Sequence, residues 1–155
     1  MAALDEPAIA RRSARAERGW SARVALRLGL AALYFVAGCF HLAKPAPFLH
    51  IVPAWVPWPG QVVLWTGVAE LVGAAALAQP WSPTLRRAAG IAFAAYAVCV
   101  FPANVNHFAL DLAKPDGGLG LAYHVPRMFA QPLLVWLALW AATVIEWPLR
   151  RPPLP

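Results

Sequence analysis

Seven polar side chains in an otherwise apolar chain carry the chemistry this sequence can offer: His41, Glu70, Asn104, Asn106, His107, Arg127 and Gln131. Glu70 organises the rest. It is the one full charge in the stretch 62–78, VVLWTGVAELVGAAALA. At about 1.5 Å per residue it lies roughly 12 Å from either end. In a helix crossing a hydrocarbon core about 30 Å thick, that is near the midplane. An ionisable group there costs on the order of several kcal/mol, and such residues face a bundle interior and mark function. A carboxyl of this kind can hold or pass a proton, and an imidazole or guanidinium beside it can polarise a bound oxygen. Gly67 and Ala74 share its stripe and let neighbouring helices approach closely.

The composition says what surrounds these residues. Of the 155 residues 61% are hydrophobic and only 13% charged, about half the usual charged share, which is a membrane composition. The net charge of +6 does not point to nucleic acid, because of where the cations lie: six of thirteen Lys and Arg precede residue 28. Basic residues beside a hydrophobic segment set topology instead. The lipid bilayer is therefore the expected partner.

The elements that position the seven residues follow in order. Residues 1–23 read as a basic cytoplasmic tail, held near anionic lipid by Arg11, Arg12, Arg15, Arg18 and Arg23. Residues 24–148 read as one membrane domain. Its first helix runs from Val24 to Ala43, with Arg27 snorkelling inward and His41 at the outer end. Residues 36–39, VAGC, resemble a lipobox, but the long tail before them and three further spans after them argue against cleavage there. Lys44 to Gly60 holds five prolines, so no regular helix is expected in it. Its Phe48, Ile51, Trp55 and Trp58 place it at headgroup level, as an interfacial anchor or as a lid over a pocket. The second helix spans 62–78. The third begins at Arg86 and Arg87 and runs to about Phe108, with Pro102 inside it and Asn104 or Asn106 available to satisfy the freed carbonyl. Residues 109–124, with Asp111, Lys114 and Gly117-Gly118, read as a partly ordered external loop. The fourth helix spans about Val125 to Trp147, with Arg127 and Gln131 on one face. Glu146 and Arg150 have salt-bridge spacing before a short cytoplasmic tail, 149–155.

The fold expected is all-α: a polytopic four-transmembrane-helix bundle with a Pro/Trp-rich interfacial outer loop. Ten Lys and Arg fall at the ends assigned inside and three (Lys44, Lys114 and Arg127) at those assigned outside. Both termini are thus expected in the cytoplasm of a bacterial-type inner membrane. That topology places the other six polar residues in the outer half, around a pocket floored by Glu70 near the midplane. By depth its partners are Arg127, Gln131 and Asn104. Cys39 and Cys99 read as buried free thiols at depths too different for the roughly 7 Å limit of a disulfide, and there is no CxxC.

These residues also resemble the DoxX family of small four-helix membrane proteins. The likeness lies in GCFHLAKPAPFLHIVPAWVPWPG, TGVAELVGAAAL, FPANVNHF and VPRMFAQPLLVWLALW, with Leu42 where the family's H-F-x-x-P motif has an aromatic. The resemblance implies a four-helix bundle, and some relatives are associated with thiosulfate:quinone oxidoreduction or membrane thiol-redox complexes. The leading expectation is an accessory or redox-associated membrane subunit whose outer pocket binds a quinone or other small lipophilic molecule. Glu70 would handle a proton, and His41, His107 or Arg127 would polarise the ligand oxygen. The competing expectation is a non-enzymatic assembly or chaperone-like protein that binds another membrane protein, its polar cluster being structural. Haem between His41 and His107 is a weaker alternative, and zinc lacks motif spacing.

Overall fold

The structure, a computed structural model, describes residues 6–147, with side chains from residue 22 onward. The described residues are all helical or loop, with no strand. The five helices are α1 (Glu6–Ala43), α2 (Ala46–Ile51), α3 (Pro59–Ala78), α4 (Pro83–Leu112) and α5 (Leu121–Ala141). Three segments are long and apolar enough to cross a membrane: Ala22–Ala43, Pro59–Ala78 and Pro83–Leu112. The expected fourth span, α5, is 21 residues long but does not join them. Its first half carries His124, Arg127 and Gln131, which dilute its apolar character.

Several boundaries differ from expectation for local reasons. α1 starts at Glu6, so the basic tail enters the first span without a break. The Pro-rich segment does contain a helix, because Pro45 caps α2 and Pro47 falls in its first turn, where a missing N–H costs nothing. Pro59 likewise opens α3 and Pro83 opens α4. The Ser82 hydroxyl caps α4 by accepting from Leu85 N–H at 3.2 Å. α4 continues four residues past the expected stop at Phe108, and α5 begins four before Val125. Asp111 and His124 are therefore helical residues and not loop. Glu146 lies beyond the end of α5, and Arg150, with the 149–155 tail, falls outside the described residues.

Packing runs α1 on α3, α3 on α4, α4 on α5 and α5 back on α1, with α2 lying across α3 and α4. The core is built largely from small side chains: Ala31, Ala74, Ala89, Ala94, Ala138 and Ala142, with Leu30, Leu77 and Phe93 between them. Tyr34 stacks on Phe93 at 3.8 Å between ring centroids. Large apolar residues such as Leu33, Phe35, Leu64, Trp65, Val72, Ile91 and Phe129 face outward instead. A protein in water would bury those first. Small residues inside and large apolar ones outside are what close helix contact in a hydrocarbon solvent favours. Cys39 and Cys99 are free and exposed, and not buried as expected, with Cys99 at the wall of the cavity described below.

Two glycines set how close α1 and α3 come. A Cβ on Gly38 would lie 2.9 Å from the Gly67 carbonyl oxygen, and one on Gly67 would lie 2.8 Å from the His41 Cβ. Gly38 is one turn before His41, and Gly67 one turn before Glu70. The close approach therefore carries His41 onto Glu70. Gly38→Ala should push α1 off α3 and cost about 1–3 kcal/mol, as overpacking does. Gly29→Ala, with nothing within 4 Å of the new methyl, should be neutral or slightly stabilising. Thermal unfolding in detergent reads both, and equal melting temperatures would show that the close approach is not needed.

Candidate functional site

Glu70 sits on the buried stripe of α3 with Val63, Gly67, Ala74 and Leu77, and is only 3% exposed. It is met from two sides. The Tyr96 hydroxyl, from α4, donates to Glu70 Oε1 at 2.7 Å. From α1, His41 Nδ1 lies 2.8 Å from Glu70 Oε2 and 3.0 Å from the Ala37 carbonyl oxygen. The ring nitrogen thus stands between two acceptors, and Oε2 is buried with the imidazole as its near neighbour. A carbonyl can only accept, so the proton of the ring is on Nδ1. The His41 ring is held flat against Phe48 of α2, with centroids 3.7 Å apart.

These groups line a cavity of about 420 Å³. α2 and the turn after it contribute Phe48, Ile51, Val52, Pro53, Trp55 and Val56. The Pro/Trp-rich segment is thus one wall of the cavity as well as a surface element. Of the seven sequence candidates, five line this space: His41, Glu70, Asn104, Arg127 and Gln131. Asn106 and His107 do not. Asn106 Nδ2 donates to the Ile51 carbonyl at 2.9 Å and ties α2 to α4, so it is not the repair for Pro102. His41 lines the cavity and His107 does not, so the two imidazoles do not face a common space for haem. Arg127 is not the partner of Glu70: its Nη1 donates to His107 Nδ1 at 2.8 Å. Neither Gln131 nor Asn104 bonds Glu70, and Gln131 Oε1 is buried without a partner.

A second buried carboxylate, Asp111, lies close by, in the last turn of α4 and not in the expected loop. Lys114 Nζ contacts its Oδ1 at 2.5 Å. Its Oδ2 accepts from Leu119 N–H at 3.0 Å and from His124 Nε2 at 2.9 Å. His107 Nε2 stands 3.6 Å from the same oxygen. The 113–120 turn wraps this carboxylate, and Gly118, at φ +58°, has no room for a side chain because a Cβ would run into Asp111. His107, Asp111 and His124 bring ligand-type atoms within 4.8 Å of one another, a spacing a metal ion could use. The protonation pattern fits a metal poorly. Arg127 donates to His107 Nδ1, so the neutral ring carries its proton on Nε2, the atom that would have to ligate. The Lys114 ammonium already supplies the positive charge. The group reads as a carboxylate held by three donors, Lys114 and Leu119 N–H in the turn and His124 on α5, with His107 of α4 nearby.

The chain matches, over residues 30–145, a family described as a domain of unknown function (DUF8561). It belongs to that family. No curated protein and no solved structure matches it. The resemblance to DoxX is thereby corrected: the family model that matches is DUF8561 and not DoxX. The redox association implied by that resemblance has no support from the family found.

Residues missed from the sequence left partial signals. Tyr96 is eleven residues before His107, about three helical turns, so the two share a face of α4. His107 and Asp111 have i,i+4 spacing, visible only once α4 is carried past Phe108. The Asp111 hydrogen bond raises the Lys114 ammonium above its ordinary value. A raised lysine stabilises the fold fully below its ordinary value near 10.5, and that contribution is lost as pH climbs through the raised one. The melting-temperature advantage of the wild type over Lys114→Met should therefore persist through neutral pH and vanish only in strong alkali. An advantage independent of pH would show that the ammonium charge is not what matters.

Proposed function

We propose that this chain is a multi-pass membrane protein that holds a small lipophilic molecule with a polar head, quinones and quinols being one such class, in the cavity beside Glu70, and that it serves as an accessory membrane subunit. The observation that carries the reading is Glu70 itself. Its buried carboxyl, bonded by Tyr96 and beside His41, belongs to the lining of about 420 Å³ of space whose walls are mainly apolar and aromatic, the pairing of few polar groups with an apolar wall that small-molecule sites have. The volume is in the range of small-molecule pockets.

The topology we propose has α5 as a fourth span beside the three apolar ones, giving a four-transmembrane-helix bundle. At 21 residues it is long enough, and it packs on both α4 and α1. Its polar half is turned in part toward the cavity, through Arg127 and Gln131. The ten-to-three basic asymmetry then puts both termini on the cytoplasmic side of a bacterial-type inner membrane, with the cavity opening outward. A reporter fused after Pro155 should be active only if cytoplasmic fusions are; external activity would reverse the orientation.

The second reading, a non-enzymatic assembly protein, is favoured by the Asp111 group, whose donors are all engaged in holding the turn. It makes no use of the cavity beside Glu70. Mass spectrometry of small molecules that co-purify in mild detergent separates the two readings. A defined lipophilic species should accompany the wild type and fall roughly tenfold in Glu70→Gln, a loss of about 1.4 kcal/mol. Equal recovery from both, with a partner protein retained by both, would favour assembly.

A further inference from the structure

We propose that the end of the bundle opposite the cavity holds the phosphate of an anionic phospholipid between Arg27 of α1 and Arg86 of α4. The site lies away from Glu70 and does not depend on an occupant in the cavity.

Helix register brings the two arginines to one turn. Gly38 rests against Gly67 and Leu71, and Gly67 against His41, so α1 and α3 run antiparallel. Arg27 lies eleven residues before Gly38, about three turns, and so on the same face of α1. The matching count along α3, from 67 and 71, arrives at 78–82, the end of the helix and the turn after it. Arg86, in the first turn of α4, donates from Nη1 to the Pro80 carbonyl of that turn at 2.9 Å. The two guanidiniums are close enough that Arg27 feels the charge of Arg86.

Among the described residues no carboxylate answers either cation, because the ion pairs all fall on Glu70 and Asp111. Arg27 has no hydrogen-bond partner there. Its Nε is buried without one, and its terminal nitrogens are left accessible. Arg86 has given up only Nη1. The neighbouring arginines are engaged otherwise: Arg23 lies over the Trp140 ring at 4.7 Å, and Arg87 Nε donates to the Thr143 carbonyl at 3.1 Å. Like charges side by side at the edge of hydrocarbon repel, and an anion between them turns that repulsion into attraction.

A phosphate diester suits the gap, since guanidinium forks match its oxygens in pairs. Basic pockets between spans are where anionic headgroups settle. The surroundings favour a lipid as the source. Trp81, in the same turn, is 77% exposed, as a headgroup-level tryptophan is. Leu26 and Leu28, which flank Arg27, and Leu85, beside Arg86, are exposed and give acyl chains an apolar surface. The ammonium of a zwitterionic headgroup finds no paired carboxylate there, so the headgroup is one of net negative charge.

The test titrates the full-length protein, in neutral detergent, calorimetrically with dihexanoyl phosphatidylglycerol, dihexanoyl phosphatidylcholine and inorganic phosphate. Phosphatidylglycerol should bind most tightly of the three. Its affinity should fall about fivefold in Arg27→Gln and likewise in Arg86→Gln, the worth of one basic residue near anionic lipid. Arg27→Lys should keep part of it, and Arg87→Gln should leave it largely unchanged. Without lipid, Arg27→Gln should melt no lower than the wild type, since it removes a repulsion and no bond within the protein; this separates lost binding from lost fold. Equal affinity for phosphatidylglycerol and phosphatidylcholine, or an equal loss in Arg87→Gln and Arg27→Gln, would overturn the site and reduce it to a general basic surface. Inorganic phosphate binding as tightly as phosphatidylglycerol would overturn the lipid as its occupant.

Discussion

Everything at this end of the molecule depends on where a carboxylate near the middle of an apolar helix finds its donors. Glu70 cannot be left bare in hydrocarbon. It obtains one donor from α4, through Tyr96, and an imidazole neighbour from α1, through His41. The second is possible only because Gly38 and Gly67 let the two backbones come close. The close α1–α3 contact and the buried charge of α3 are therefore one device. Three helices are fixed relative to one another by a single side chain, and the same side chain faces the cavity. Small residues elsewhere repeat the logic without the chemistry: a Cβ on Gly90 would come within 2.8 Å of the Ala138 carbonyl, which seats α4 on α5.

Asp111 shows the other way to bury a carboxylate. Its two oxygens take donors from Lys114, Leu119 N–H and His124, with His107 nearby, and nothing is left over. The glycines of the 113–120 turn, at positive φ, fold the chain tightly around it. The carboxylate closes the α4–α5 connection and, through His107, holds Arg127 at the edge of the cavity. The contrast is one of place: Asp111 is wrapped by the 113–120 turn, whereas Glu70 is held between three helices beside the cavity.

Much of this was legible in the sequence. The charge at the centre of 62–78 marks a residue that is buried, and five of the seven polar candidates line one cavity. What failed was rotation about the helix axis. Depth ranks partners along the membrane normal but says nothing about which way a side chain points, so Arg127 was paired with Glu70 when it faces His107. Tyr96 was passed over because a tyrosine in an apolar run reads as packing until its hydroxyl has a partner. Asp111 and His124 were lost to boundaries four residues short at each end of a turn whose glycines looked like loop. The Pro-rich segment was read as unable to form helix, because prolines were counted without asking which of them fall in a first turn.

The central claim is that Glu70 is bound to Tyr96 and not to Arg127, and a double-mutant cycle measures that directly. Unfolding free energies of Glu70→Gln, Tyr96→Phe and the double variant should show a coupling of at least about 1 kcal/mol, as residues sharing a buried hydrogen bond do. The parallel cycle of Glu70→Gln with Arg127→Gln should show additivity within about 0.5 kcal/mol. Additivity with Tyr96 together with strong coupling to Arg127 would contradict the arrangement on which the site is built.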